Sequence, residues 1–203
     1  LNRDAAPGWS EAIVRQTRAA LGDRAIIYAD ANGSYDAPTA IALSRMLADF
    51  GVAMFEEPCP SEDITMTAQV ARRTRIPIGG GENLAVMPSW RDAMAGAYDV
   101  VQPDPLYTGG MLRCLAIARE AERLGLGYNP HYPRDGAMAA PLIHLCATAP
   151  TLWGLQEYRL RNLPTTVPHE SSYRVEGGVM RLPDEPGFGV RFDPAMWARA
   201  VPL

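Results

Sequence analysis

The sequence predicts an α/β protein built on a parallel sheet covered by helices. Short apolar runs alternate with longer stretches of helical periodicity, and the runs are apolar at every position, as in strands buried on both faces. Carboxylates also close successive runs at a steady interval. Glu56 follows Asp30 by 26 residues and Glu82 follows Glu56 by 26, close to the roughly 30 residues of one strand–helix crossover unit.

Taken in order, Ser10 is placed to cap a helix from Glu11 to Leu21 that Gly22 stops. The run Ala25 to Ala29 reads as a first strand. Asp36-Ala37-Pro38 opens a second helix with Ile41, Leu43, Met46, Leu47 and Phe50 as its buried stripe. Val52 to Phe55 is the second strand, Ser61 to Thr74 the third helix, and Ile76-Pro77-Ile78 the third strand. Met87 to Ala95 forms a short helix before the fourth strand, Asp99 to Gln102. A strongly periodic helix then carries Met111, Leu112, Leu115, Ile117, Ala118, Ala121 and Leu124 to a stop at Gly125. Leu126 to Tyr128 is a brief fifth strand, Gly136 to Thr148 a small-residue helix, and Leu152 to Gln156 a sixth strand. Residues 1–160 are therefore expected to form the barrel portion. Residues 161–203, punctuated by Pro164, Pro168, Pro183, Pro186 and Pro194, are expected to form a tail with a turn at Gly177-Gly178 and a short helix from Asp193-Pro194 through Trp197.

Composition narrows the function classes. A net charge of −4 without a basic cluster leaves no electrostatic footprint for nucleic acid or for an anionic membrane surface. No apolar run approaches the ~18 residues of a membrane span. Cys59, Cys114 and Cys146 are odd in number and lack a CxxC pair, which suits a reduced, cytoplasmic protein. Cys114 and Cys146 read as packing residues, whereas Cys59, just past a strand end, is a candidate to line a pocket.

The polar strand-end series continues with Asp104, His131 and Glu157 after the fourth, fifth and sixth strands. One such acid is ordinarily a helix cap, but six in phase fit the strand-end face on which parallel β/α barrels assemble their active sites. Asp30, Glu56 and Glu82 are hard oxygen donors that select Mg²⁺ or Mn²⁺ over zinc and leave coordination positions for water and a carboxylate substrate. Asp104 and His131, from adjacent strands, can share a hydrogen bond that sets the imidazole tautomer and raises its basicity. Glu157 lies beyond them, either donating to a substrate oxygen when protonated or making a structural hydrogen bond. Tyr132 and Arg134 follow the base and can reach distal substrate groups, although Arg134 serves equally as a surface ion-pair residue. His144, in an apolar helix, reads as packing, and His169 as a loop residue.

Together Asp30-Ala31-Asn32, Glu56-Glu57-Pro58, Gly81-Glu82-Asn83, the Asp104/His131 pair and Glu157 resemble the enolase superfamily in its mandelate racemase branch, over roughly residues 22–160. Leu182-Pro183-Asp184 and Pro186 to Val190 also resemble that family's C-terminal segment. The resemblance implies a (β/α)7β TIM-like barrel of which this chain holds the third to eighth strands, the first strands and an N-terminal capping domain being absent, with the tail packed on barrel and cap. It implies Asp30, Glu56 and Glu82 as Mg²⁺ ligands, His131 with Asp104 as the base that removes a proton α to a carboxylate, Glu157 as support for the enolate oxygen, and Asn32, Tyr132 and Arg134 as substrate contacts. The implied activity is dehydration of an acid sugar through a stabilised enediolate. Alternatives are a racemase or epimerase of a 2-hydroxy acid, or an incomplete barrel that only binds metal or a partner. A small carboxylate substrate and homo-oligomeric assembly are expected. One departure bears on the chemistry: the family carries a Lys-x-Lys motif on a preceding strand, and this sequence contains no lysine. The chain is therefore expected to be part of a longer polypeptide, with the second catalytic group unassigned.

Overall fold

The computed structural model describes residues 1, 8–134, 136–158, 169–171, 173 and 175–198. Five strands, β1 (Tyr28–Asp30), β2 (Met54–Glu56), β3 (Ile78–Gly80), β4 (Val100–Val101) and β5 (Gly127–Tyr128), form one sheet in sequential order, each parallel to the next. Sequential parallel order demands a crossover after every strand, and helices supply it. They are α2 (Ala37–Asp49), α3 (Ile64–Ala71), α4 (Met87–Met94) and α5 (Met111–Leu124), with α1 (Trp9–Leu21) leading into β1. A 3-10 turn at Gly136–Ala139 leads into α6 (Ala140–Thr148). Among the described residues no helix is long and apolar enough to cross a membrane.

The strands are only two or three residues long, so sheet hydrogen bonds alone hold little. Packing of apolar side chains on both faces does the rest. Met54, Phe55, Ile78, Val100, Val101 and Tyr128 are all but inaccessible to solvent, and Leu47, Val70, Trp90 and Ile117 close over them from the helices. The Gly79-Gly80-Gly81 run admits these neighbours. A Cβ on Gly79 would meet Met54 Sδ at 2.6 Å, one on Gly80 would meet the Tyr98 ring at 2.7 Å, and one on Gly81 would meet Trp90 at 2.5 Å. Arg18 ties the ends of α1 and α2 together by donating to the carbonyls of Gly22, Ala25, Phe50 and Gly51.

Several local expectations are corrected. The first helix is capped at Gly8, and Ser10 lies inside α1 with its hydroxyl against the Tyr35 hydroxyl. Leu112 is 85% exposed on α5, and its place in the buried stripe is taken by Cys114. Cys59 is buried in the core, not pocket-lining, and desolvation pushes its thiol up to about 11. The expected sixth strand at 152–156 forms no ladder. Its backbone meets β5 through one bond, Trp153 N–H to Tyr128 O at 2.9 Å. Gly154, at φ +58°, turns the chain out of the extended conformation there. His144 does pack as expected, edge-on to Phe188 at 5.0 Å.

In the tail, β6 (His169–Ser171) pairs antiparallel with β9 (Val190–Phe192), so the backbone of His169 lies in a strand rather than a loop. β7 (Val175–Glu176) and β8 (Val179–Met180) flank the expected Gly177-Gly178 turn, and α7 (Pro194–Trp197) follows Asp193. Pro164 and Pro168 lie outside the described residues.

Candidate active site

All five sheet strands end on the same edge, and this is where the polar series sits. Direct pairing of Asp30 with Glu56 across β1 and β2 places the first two carboxylates at one level. Glu82 lies two residues past β3, on a loop pinned by the indole Nε1–H of Trp90 donating to Leu84 O at 3.0 Å. Asp104 follows β4 and is fully buried, and His131 follows β5.

The His131 ring is suspended between carboxylates. Its Nδ1 lies 3.0 Å from Asp104 Oδ2, and its Nε2 lies 3.0 Å from Glu82 Oε2 and 3.9 Å from Glu157 Oε2. Burial disfavours the charged ring, but the Asp104 hydrogen bond and the charges of Glu82 and Glu157 outweigh it, so the imidazole pKa lies above its ordinary value. Glu157 is also anchored by the backbone, accepting from Tyr132 N–H at 3.1 Å. The pairing of His131 with Asp104 expected from sequence is present, and so is the approach of Glu157 to the same ring. The contact of His131 with Glu82 was not anticipated.

The other acids have local partners. Both oxygens of Asp30 are engaged by Asn32, Oδ1 by its backbone N–H at 2.8 Å and Oδ2 by its side-chain amide. Asn32 sits at φ +46°, a conformation that asparagine tolerates and that lets the turn fold back on the carboxylate. Burial, then the charges of Asp30 and Glu82, raise the Glu56 carboxyl to about 7 against a hydrogen bond from Gln102. Among the described residues no three His, Cys, Asp or Glu side chains are drawn around one point closely enough to hold an ion. The strand ends are side by side, while the carboxylates turn to Asn32, Gln102 and His131. Of the expected substrate contacts, Asn32 is exposed and Arg134 half-buried, with its guanidinium 5.4 Å over the ring of the buried Tyr132.

Sequence reasoning missed two groups. Glu57 adopts φ +38° directly after β2, which turns its side chain inward, where it accepts from the Gly81 backbone and leaves Oε1 without a hydrogen-bond partner. Burial, then the charge of Glu82, raises its carboxyl to about 7. Gln102 is buried beside Glu56 with an unpartnered Oε1 of its own. A second carboxylate immediately after a strand-end one was the only available signal for Glu57.

A pH prediction follows. Glu56 and Glu57 both hold their protons more tightly folded than unfolded, so the folded chain binds more protons between about 4.5 and about 7, and its stability falls as pH rises through that window. In the absence of divalent cations the melting temperature is expected to drop across this range. Glu57→Gln is expected to remove part of the slope and to melt higher than the parent at pH 8. A Glu57→Gln protein that melts lower than the parent at pH 8 contradicts this account.

Comparison with known proteins agrees with the fold. A family model described as enolase C-terminal domain-like matches residues 2–196. A D-galactonate dehydratase from Ralstonia nicotianae is 31% identical over 193 residues, which cover 90% of this chain and 50% of that protein. A crystal structure of a Roseobacter denitrificans protein classed as a racemase superimposes with a TM-score of 0.90 at 34% identity, covering 98% of this chain and 56% of that one. A racemase from Streptomyces coelicolor A3(2), solved with bound magnesium, superimposes with a TM-score of 0.84 at 26% identity, covering 98% and 53%. The chain spans about half the length of the curated relatives it matches.

Proposed function

The chain belongs to the enolase C-terminal domain-like family, and from that membership we propose that it removes the proton α to the carboxylate of an acid sugar, leading to loss of the β-hydroxyl. The observation that carries this reading is the His131 ring held by Asp104 on Nδ1 with Nε2 turned toward Glu82 and Glu157. An α-proton beside a carboxylate is far too weakly acidic for imidazole acting alone, so charge stabilisation is required as well.

Asp30, Glu56 and Glu82 would hold Mg²⁺ (or Mn²⁺), which supplies positive charge against the negative charge that develops on the substrate carboxylate as the proton leaves. In donor chemistry the residues present suit such an ion, while their side chains are not drawn around one point among the described residues. The donors are all oxygens, the ion pairs at the site involve only His131 among the described residues, and two buried oxygens nearby, Glu57 Oε1 and Gln102 Oε1, lack partners.

Asp104 keeps the Nδ1 proton of His131, so Nε2 is the nitrogen that accepts the α-proton. The ring must first be neutral and released from Glu82, its partner at 3.0 Å. Glu157, on the Nε2 side of the ring, is placed to donate to the far substrate oxygen when protonated. The β-hydroxyl departs as water with a proton from His131, leaving the enol of a 2-keto-3-deoxy acid. That enol becomes the keto acid by taking a proton from water at C3 and losing its hydroxyl proton. A second reading, racemisation, draws support from the racemases among the superimposing structures.

D-Galactonate, the substrate in the name of the Ralstonia relative, is the first probe. Incubation of the intact polypeptide with D-galactonate and Mg²⁺ in D₂O, followed by NMR, is expected to yield the 2-keto-3-deoxy product. Deuterium incorporation with an inverted α-centre and no dehydration would favour the racemase reading instead. No turnover and no α-exchange across a panel of acid sugars would sink both.

A further inference from the structure

We infer that Tyr28 and Asn129 form a side-chain clamp that replaces the missing sixth strand ladder and positions Glu157 against His131. The inference rests on the function proposed above only in giving Glu157 a part in the chemistry; the clamp itself is read from geometry.

The segment Trp153 to Leu155 runs beside β5 yet makes only one backbone bond to it. Side chains supply the remaining bonds. Asn129, buried immediately after β5, donates through Nδ2 to Trp153 O at 2.9 Å and to Leu155 O at 3.0 Å. Both partners are carbonyls, so only the NH₂ end of the carboxamide can face them, and the amide orientation is fixed by chemistry. Tyr28, on β1 at the opposite edge of the sheet, accepts the Leu155 N–H at 3.1 Å through its hydroxyl, and its ring lies 5.4 Å from that of Trp153. The contact spans 127 residues of sequence and ties the first strand of the sheet to the segment that runs beside the last.

Gly154 is what lets the clamp close. It sits at φ +58°, and a Cβ there would collide with the Tyr28 hydroxyl. Two residues beyond the clamp, Glu157 accepts from Tyr132 N–H and approaches His131 Nε2. Glu157 is well exposed and, apart from its bond to Tyr132, has little to hold it, so the clamped segment sets where its carboxylate can reach. Tyr28 and Asn129 are thus positioning residues, acting through Glu157.

The test uses the intact natural polypeptide and reads amide hydrogen exchange by mass spectrometry. Tyr28→Phe removes one hydroxyl and is the mild variant; Asn129→Asp keeps the shape of the side chain but sets a carboxylate against two carbonyls. In Tyr28→Phe, exchange is expected to accelerate about three- to tenfold, the weight of one net hydrogen bond, in peptides covering 152–158 and 129–134. The second peptide reports the Tyr132 amide bonded to Glu157. Peptides covering 98–102 should be unchanged. With D-galactonate as probe, Tyr28→Phe is expected to lower kcat with little change in KM. In a Glu157→Gln background it should cost nothing further, a non-additivity that general destabilisation does not produce. Unchanged exchange at 129–134 in Tyr28→Phe, or full additivity with Glu157→Gln, overturns the clamp. If exchange responds as expected while the parent protein neither dehydrates nor exchanges any acid sugar, the clamp stands and the functional reading falls.

Discussion

Replacing His131 with asparagine is expected to lower α-proton exchange by about a thousandfold or more, at the upper part of the ~10²–10⁴ range for a positioned general base. Asparagine keeps a polar side chain near Asp104 but cannot accept a proton at the position of Nε2. The same substitution is expected to leave divalent-cation affinity intact or to strengthen it near neutral pH. In the parent protein Glu82, an expected ligand, is paired at 3.0 Å with an imidazole whose pKa is raised, so the charged ring competes with a cation for that carboxylate. Removing the ring removes the competitor. Titration with Mn²⁺ followed by electron paramagnetic resonance reads affinity, and α-exchange in D₂O reads the base. Exchange within tenfold of the parent would show that another group takes the proton, and a loss of Mn²⁺ binding would show that the ring supports the carboxylates rather than competing for them.

Trp90→Ala is expected to cost about 3–5 kcal/mol of stability, the usual range for emptying a large buried aromatic site. Trp90 is inaccessible to solvent on α4, its indole N–H donates to Leu84 O at 3.0 Å, and its ring fills the space beside Gly81. The loop it pins carries Glu82 between those two anchors, so the substitution is expected to weaken divalent-cation binding as well as folding. Trp90→Phe keeps most of the apolar contact and loses the hydrogen bond, which should cost about 1 kcal/mol for the bond, with a smaller effect on the ion. Urea unfolding measures both variants. A Trp90→Ala loss below about 1 kcal/mol, or cation affinity unchanged in it, would detach the loop from the core packing described here.

The organisation of this chain was legible in its sequence to the extent that it is local and periodic. Apolar runs buried on both faces, helical stripes and carboxylates recurring at the length of a crossover unit are properties of neighbours along the chain. They led to the parallel order β1 to β5 and to a strand-end face carrying Asp30, Glu56, Glu82, Asp104 and His131. The pairing of Asp104 with His131 could be read because adjacent parallel strands end side by side. Leu152 to Gln156 misled because its composition suits a strand, while Gly154 at φ +58° breaks the extension that a ladder needs.

Tertiary structure alone decided what depends on side chains meeting across the sheet. The inward turn of Glu57, the Glu82 contact on Nε2 of His131, and the reach of Tyr28 to Leu155 have no periodic signature. Each is set by where distant backbone segments come to rest when the core closes. Periodicity reports which face of an element is buried, since burial repeats with the geometry of helix and strand. It carries no information about which polar group waits on the other side of the barrel, because a single hydrogen bond between residues far apart in the chain leaves no repeating mark on either of them.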